Sequence, residues 1–223
     1  MNGLLLVDKT VGPTSFDLIR QLRRITGFKK IGHAGTLDPL ASGLMLLLFG
    51  TACKQAEQFS KLDKTYIAEI TLGANSTTGD MEGEKTAISS AEPTGAAIES
   101  ALQTFLGEIT QTPSPYSAIK INGTEAYKLA RAGQDVAMPS RQVTIHSIEL
   151  LSYDYPRLTI ETSVSSGTYI RTLAEDIGAV LGTGAYLSAL RRTLVGEFDV
   201  AEGVKLDGVP AERVQQHLID LDK

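Results

Sequence analysis

Gly32-His33-Ala34-Gly35-Thr36-Leu37-Asp38-Pro39-Leu40-Ala41-Ser42-Gly43, running on into Leu44-Met45-Leu46-Leu47-Leu48-Phe49, is the most informative stretch of the chain. The second half reads as a strand buried on both faces, because a short unbroken apolar run leaves no side for water. The first half reads as an irregular segment built for positioning. Gly32 and Gly35 allow backbone angles closed to other residues and a close approach by another molecule. Pro39 keeps Asp38 out of the helical region. A bare Asp-Pro marks a turn or a helix cap. Here the carboxylate shares a dozen positions with a histidine and three glycines, and is followed by a buried strand that can hold it. Asp38 is therefore the residue expected to do chemistry.

Toward the N-terminus, residues 3–7 read as a short strand, and Lys9-Thr10-Val11-Gly12-Pro13-Thr14-Ser15 as a turn feeding a helix. Thr14 with Asp17 has the form of a capping box. Phe16, Ile19, Leu22 and Ile25 recur at helical spacing, and Gly27 is placed to end the helix. Its other face carries Arg20, Arg23 and Arg24, followed by Lys29 and Lys30. Such a cluster is an ordinary solvated face; its place beside the Asp38 segment adds phosphate binding as a second reading.

Toward the C-terminus, residues 51–59 form a short helix, and residues 66–73 alternate as a half-buried strand with Tyr66, Ala68, Ile70 and Leu72 on one face. Residues 75–93, rich in Ser, Thr, Gly and Glu, read as a loop or mobile excursion whose acidity argues against contact with an anionic partner. A helix over 96–106 ends at Gly107. A proline-stiffened extended segment, residues 111–120, leads to an Asn122-Gly123 turn and a helix over 125–132 carrying Tyr127, Lys128 and Arg131. Residues 141–151 and 158–164 fit two neighbouring antiparallel strands. Ser166-Gly167-Thr168-Tyr169-Ile170-Arg171 then opens a helix with Ile170, Leu173, Ala174 and Ile177 on its apolar side. An arginine near a helix start gains nothing from the helix dipole, so Arg171 demands a partner carboxylate.

Four of these stretches together resemble the TruB family of tRNA pseudouridine synthases: residues 33–44, Lys64-Thr65-Tyr66 with Leu72-Gly73, residues 166–178, and Gly184-Ala185-Tyr186-Leu187-Ser188-Ala189-Leu190-Arg191-Arg192-Thr193-Leu194-Val195-Gly196. The resemblance implies that Asp38 is the nucleophile, that Tyr66 stacks on the target base, and that Arg171 pairs with the aspartate and keeps it ionised. It implies that Leu190 lines the uracil pocket and that His33 helps to fill the place an extruded uridine leaves. It extends substrate binding to Lys9 and Lys64, and to Lys120, Lys128 and Arg131 in the part that grips the RNA stem-loop. The implied reaction converts uridine 55 of the tRNA T-loop to pseudouridine after base flipping, without a cofactor; attack of Asp38 at C6 or at C1′ stays open. Thr10, where the family commonly has proline, and Tyr186, where histidine is common, depart from its pattern.

The implied architecture is α+β: the pseudouridine synthase fold, a large mixed, mostly antiparallel sheet with flanking helices and a central active-site cleft. Residues 1–200 are expected to form the catalytic domain and 201–223 a short C-terminal helical extension, too short for a separate PUA-type domain. The net charge of −5 requires any RNA-binding cations to be gathered on one face. A lone Cys53 excludes an internal disulfide framework, and three histidines with it show no metal-ligand spacing. The glycine-rich segment lacks the lysine and hydroxyl of a P-loop. The expected partner is the T-arm of tRNA, with no membrane and no metal, and the expected state a cytoplasmic monomer. The competing readings are an RNA-folding chaperone and a synthase for another RNA stem-loop.

Overall fold

The computed structural model describes residues 1–117, 119–121 and 123–221. In chain order its elements are β1 (Gly3–Lys9), α1 (Ser15–Thr26), β2 (Ile31–Ala34), β3 (Ala41–Phe49), α2 (Ala56–Ser60), β4 (Lys64–Leu72), β5 (Ala74–Ser76), β6 (Lys85–Ala87), α3 (Gly95–Gln103) and β7 (Gly107–Gln111). There follow β8 (Lys120–Ile121), β9 (Thr124–Glu125), α4 (Ala126–Arg131), β10 (Arg141–Asp154), β11 (Arg157–Val164), α5 (Ile170–Val180), β12 (Ala185–Val195), β13 (Phe198–Asp199) and α6 (Ala211–Gln216). The fold class is α+β, as expected, with a large mixed sheet in which all but one of the registered strand pairs are antiparallel. The chain forms two compact units, residues 1–67 with 189–223 and residues 68–188; β4 and β12 contribute residues to both.

In the first unit everything is built on β3. Leu44 to Phe49 are all fully buried. Alternate side chains serve two cores: Met45, Leu47 and Phe49 meet Leu18, Ile19 and Leu22 of α1, while Leu44, Leu46 and Leu48 meet Ala52, Phe59 and Val195. Each such side chain is worth about 2 kcal/mol of transfer free energy. β1 lies antiparallel along β3 with Lys9 opposite Gly43, β2 pairs antiparallel with His33 opposite Leu47, and β12 pairs parallel with Leu190 opposite Ala41.

The expected capping box of α1 is present: the Thr14 side chain accepts from the Asp17 amide at 3.1 Å and Asp17 accepts from the Thr14 amide at 2.8 Å. Gly27 ends the helix at φ +68, where a residue with a Cβ would be strained. Phe16 departs from the sequence reading. α1 buries Leu18, Ile19 and Leu22, and Phe16 stands 53% exposed beside the arginines rather than in the core.

In the second unit β11 and β10 pair antiparallel, and β10 pairs in turn with β7. Helices α3 and α5 pack on one another, α3 also on β10. β4 shows the expected alternation, with Tyr66, Ala68, Ile70 and Leu72 buried. Residues 75–93, expected as a loop or mobile excursion, instead carry the β5–β6 hairpin. It is held by polar groups, so apolar patterning gave no sign of it: Ser76 Oγ donates to the Asp80 carbonyl at 2.6 Å, and Thr78 Oγ1 to Asp80 Oδ1 at 2.5 Å. Asn122, half of the expected turn, lies outside the described residues, as does Ala118.

Candidate active site

Asp38 sits half-buried between β2 and β3, on a segment tied at several points to the first unit. Ser15 Oγ, at the start of α1, accepts from the Leu37 amide at 2.9 Å and donates to the Leu37 carbonyl at 3.1 Å. The Gly12 amide donates to the Pro39 carbonyl at 2.8 Å, and the Ala41 amide to the Asp38 carbonyl at 3.0 Å. Lys9, the last residue of β1 and 1% exposed, donates its ammonium to the carbonyls of Ala41 and Thr10, the second at 3.0 Å. The backbone on either side of Asp38 is thus held by fixed partners within the first unit.

The electrostatics are set by buried cations. Desolvation pulls the Lys9 ammonium down to about 8, opposed by the nearby Asp38 charge and assisted by Arg192. Lys64, buried at the start of β4 and donating to the carbonyls of Ser60 and Leu62, is pulled down to about 8 by desolvation and then by Arg192. Arg192 of β12 is itself 1% exposed. Its Nε donates to the Leu44 carbonyl at 2.8 Å, and one Nη reaches the Thr36 carbonyl at 3.4 Å. Burial also lowers the His33 imidazole, with Arg192 adding to the effect. His33 Nδ1 is buried with no hydrogen-bond partner among the described residues.

Two glycines make this possible. A Cβ on Gly43, at φ +105, would lie 2.2 Å from the Arg192 carbonyl, so only glycine lets β12 close on β3. Gly35, at φ +82, lies between Arg192 and Lys64, whose nearest atoms would stand 3.6 and 3.9 Å from an added Cβ. Gly32 does not need its freedom: its backbone is outside the left-handed region, and a Cβ would make only an ordinary 3.6 Å contact with Cys53 Sγ.

Among the other expected residues, Tyr66 is buried at 8% exposed, and Leu190 is half-buried against the α1 side of the first core. Arg171, in the first turn of α5, meets the demand for a carboxylate within the second unit: its Nη1 reaches Asp80 Oδ2 at 3.3 Å and the Thr78 carbonyl at 3.3 Å, while Nη2 donates to the Tyr116 carbonyl at 3.2 Å. Lys120 is exposed on β8. Lys128 is exposed and paired with Glu125 at 3.0 Å. Arg131 ends α4, and its side chain lies outside the described residues.

The sequence reading did not single out Arg192 or Asp80. Arg192 stands two positions after Leu190, and strand periodicity puts the two on one face; that was the available signal. Asp80 had none, because it sits among polar residues that look solvated.

A half-buried carboxylate on a loop tied down at several points, with buried cations nearby, is a group that can attack an electrophilic carbon. The class is that of the pseudouridylate synthases: residues 23–170 match the model for the TruB family pseudouridylate synthase N-terminal domain, and residues 171–221 that for the tRNA pseudouridylate synthase B C-terminal domain. The protein named tRNA pseudouridine synthase B from Burkholderia lata is 48% identical over 209 residues, 94% of this chain and 65% of that protein. Its namesake from Azoarcus sp. is 46% identical over 211 residues, covering 95% and 70%. This chain belongs to the TruB family. It spans about two thirds of the length of those relatives. Among solved structures, the archaeal box H/ACA sRNP Nop10-Cbf5 complex matches with a TM-score of 0.71 at 26% identity, over 97% of this chain and 59% of that one. The H/ACA RNP bound to a substrate RNA containing 2′-deoxyuridine matches with a TM-score of 0.70 at 25% identity, over 96% and 61%.

Proposed function

We propose that this protein isomerises a uridine of tRNA, uridine 55 of the T-loop, to pseudouridine, with Asp38 as the nucleophile. The observation that carries the reading is the immobilised Asp38 segment, whose ends are fixed by Lys9, Ser15 and Gly12. In the reaction the N1–C1′ bond breaks, the uracil turns, and C5 bonds to C1′. The C5 proton leaves and N1 ends protonated, so the product is an isomer and no electrons are gained or lost. Both reacting atoms are shielded in a folded stem-loop, which requires the nucleotide to flip out of its stack. In this reading Tyr66 stacks on the flipped uracil and Leu190 lines its pocket. His33, whose imidazole burial pushes below its ordinary value, helps to fill the vacated place, and Arg171 supplies the positive charge that keeps the nucleophile ionised. Lys9 and Lys64 take part in binding the substrate. Lys120, Lys128 and Arg131 contact phosphates of the T-arm, and the protein works in the cytoplasm as a monomer.

The family membership and the names of the relatives support tRNA as substrate over a binding-only RNA chaperone. Chemical mapping of pseudouridine on an unmodified tRNA transcript, after incubation with the protein, tests the assignment. A single new pseudouridine at position 55 is the expected result; modification elsewhere, or none, contradicts it.

A further inference from the structure

The outer face of α1 carries a pattern that neither helix formation nor the core explains. Phe16, Arg20, Arg23 and Arg24 follow one another at i, i+4, i+7 and i+8, and all four are exposed, the Phe16 ring by 53%. The guanidinium carbons of Arg20 and Arg23 stand 5.8 and 5.9 Å from the centre of the Phe16 ring. Lys29 and Lys30 continue the positive run, giving five cations against the single carboxylate Asp17 between residues 16 and 30, in a chain whose net charge is −5. Asp17 is committed to the helix start: hydrogen bonds from Thr14, more than the Arg20 pair, hold its carboxyl down at about 2. The helix dipole accounts for Arg23 and Arg24 in the last turn. It does not account for an aromatic ring left in water among them.

This face is also fixed relative to the candidate nucleophile. Ser15, the residue before Phe16, exchanges two hydrogen bonds with Leu37, the residue before Asp38. Arg23 then stands about 12 Å further along the helix axis. An aromatic plate ringed by guanidinium groups suits an unpaired nucleotide, whose base stacks on the ring while its phosphates meet the cations.

We propose that Phe16, Arg20, Arg23 and Arg24, continued by Lys29 and Lys30, form a further RNA-contact surface that tracks the substrate's sugar-phosphate backbone where it passes the Asp38 loop, with one unpaired base or its ribose seated on Phe16. This rests on the reading of the protein as an RNA-modifying enzyme. The test is equilibrium binding of an unmodified tRNA transcript between 50 and 200 mM salt to wild type, Arg20→Gln/Arg23→Gln and Phe16→Ala. Loss of two phosphate contacts lowers the steepness of log K against log salt by about 1.4, at about 0.7 per single-strand phosphate. Phe16→Ala weakens binding about 5- to 150-fold and leaves the salt dependence as it was. Arg23→Gln alone, which keeps the Asp17–Arg20 pair, gives half the double variant's change in slope. A fold defect would lower the binding-competent fraction without changing the slope, and an unchanged slope in both arginine variants overturns the proposal. Wild-type affinity in Phe16→Ala overturns it too. Absence of tRNA binding by the wild type would defeat the proposed function together with this surface, whereas wild-type modification with unaffected variants defeats the surface alone.

Discussion

Arg171 Nη1 lies 3.3 Å from Asp80 Oδ2, and the two side chains are only 11% and 5% exposed. Asp80 also accepts from the Thr78 hydroxyl and from the Glu82 amide at 3.0 Å, so one carboxylate orders both the β5–β6 hairpin and the start of α5. Neutralising a buried carboxylate that carries several charge-assisted hydrogen bonds is costly. Asp80→Asn is expected to lower unfolding stability by about 3 kcal/mol in urea denaturation. The double variant Asp80→Asn/Arg171→Met is expected to lose less than the two single losses together; additive losses would show that the pair is not coupled.

Glu175, one turn along α5 from Arg171, is pushed up to about 7, first by burial and then by Asp176, with Arg171 opposing. Between about 4.5 and 7 the folded state therefore binds more proton at this site than the unfolded chain, and the site's contribution to stability falls as pH rises through that window and is level above it. Glu175→Gln removes this term. Urea titrations at pH 4.5, 6 and 8 are expected to show the variant gaining on wild type up to about pH 7 and holding a constant difference beyond; parallel curves would contradict the burial argument.

Gly43 faces Arg192 across the parallel β3–β12 pair, where a Cβ would lie 2.2 Å from the Arg192 carbonyl. No flexible side chain is available to move aside, so Gly43→Ala must separate the strands or strain the backbone. The expected loss is about 3 kcal/mol or more. It should appear as a lower melting temperature and, because Leu190 and Arg192 sit on the displaced strand, as weaker uridine modification. A variant with wild-type melting would show that β12 tolerates the displacement.

Lys9 closes the end of the Asp38 segment with its ammonium and stands in the field of that carboxylate. Lys9→Met leaves those carbonyls without their donor and removes the adjacent charge. Small misplacements of reacting groups cost about 100-fold, and a drop of that order in kcat/KM is expected. Lys9 and Lys64 are both held near 8, so each is charged below that pH and loses its proton above it. The wild-type rate should fall above pH 8, and more shallowly in Lys9→Met, where one of the two titrating amines is gone. An unchanged alkaline limb would separate Lys9 from the chemistry.

Local pattern made much of this legible. β3 announced itself by six consecutive large apolar residues, α1 by its cap at Thr14 and its stop at Gly27, and β4 by strict alternation from Tyr66 to Leu72. These signals depend on burial period or on contacts three residues apart. What failed depends on groups distant in the chain. Asp80 lies 91 positions from Arg171 in a segment whose composition looks solvated. Arg192, Lys9 and Lys64 carry charges that composition places in water, and only the folded chain shows the carbonyls that let them be buried. Phe16 fitted the apolar spacing of α1 and still points outward, because Leu18, Ile19 and Leu22 fill the groove over β3.

The most direct test of the central claim uses a tRNA transcript carrying tritium at uracil C5 and compares wild type with Asp38→Asn, scoring tritium release and RNA binding on the same samples. The predicted result is release by wild type that vanishes in Asp38→Asn while binding persists. Release by Asp38→Asn at a wild-type rate would contradict the role assigned to this carboxylate, and binding without release by both proteins would leave an RNA-binding module in place of a synthase.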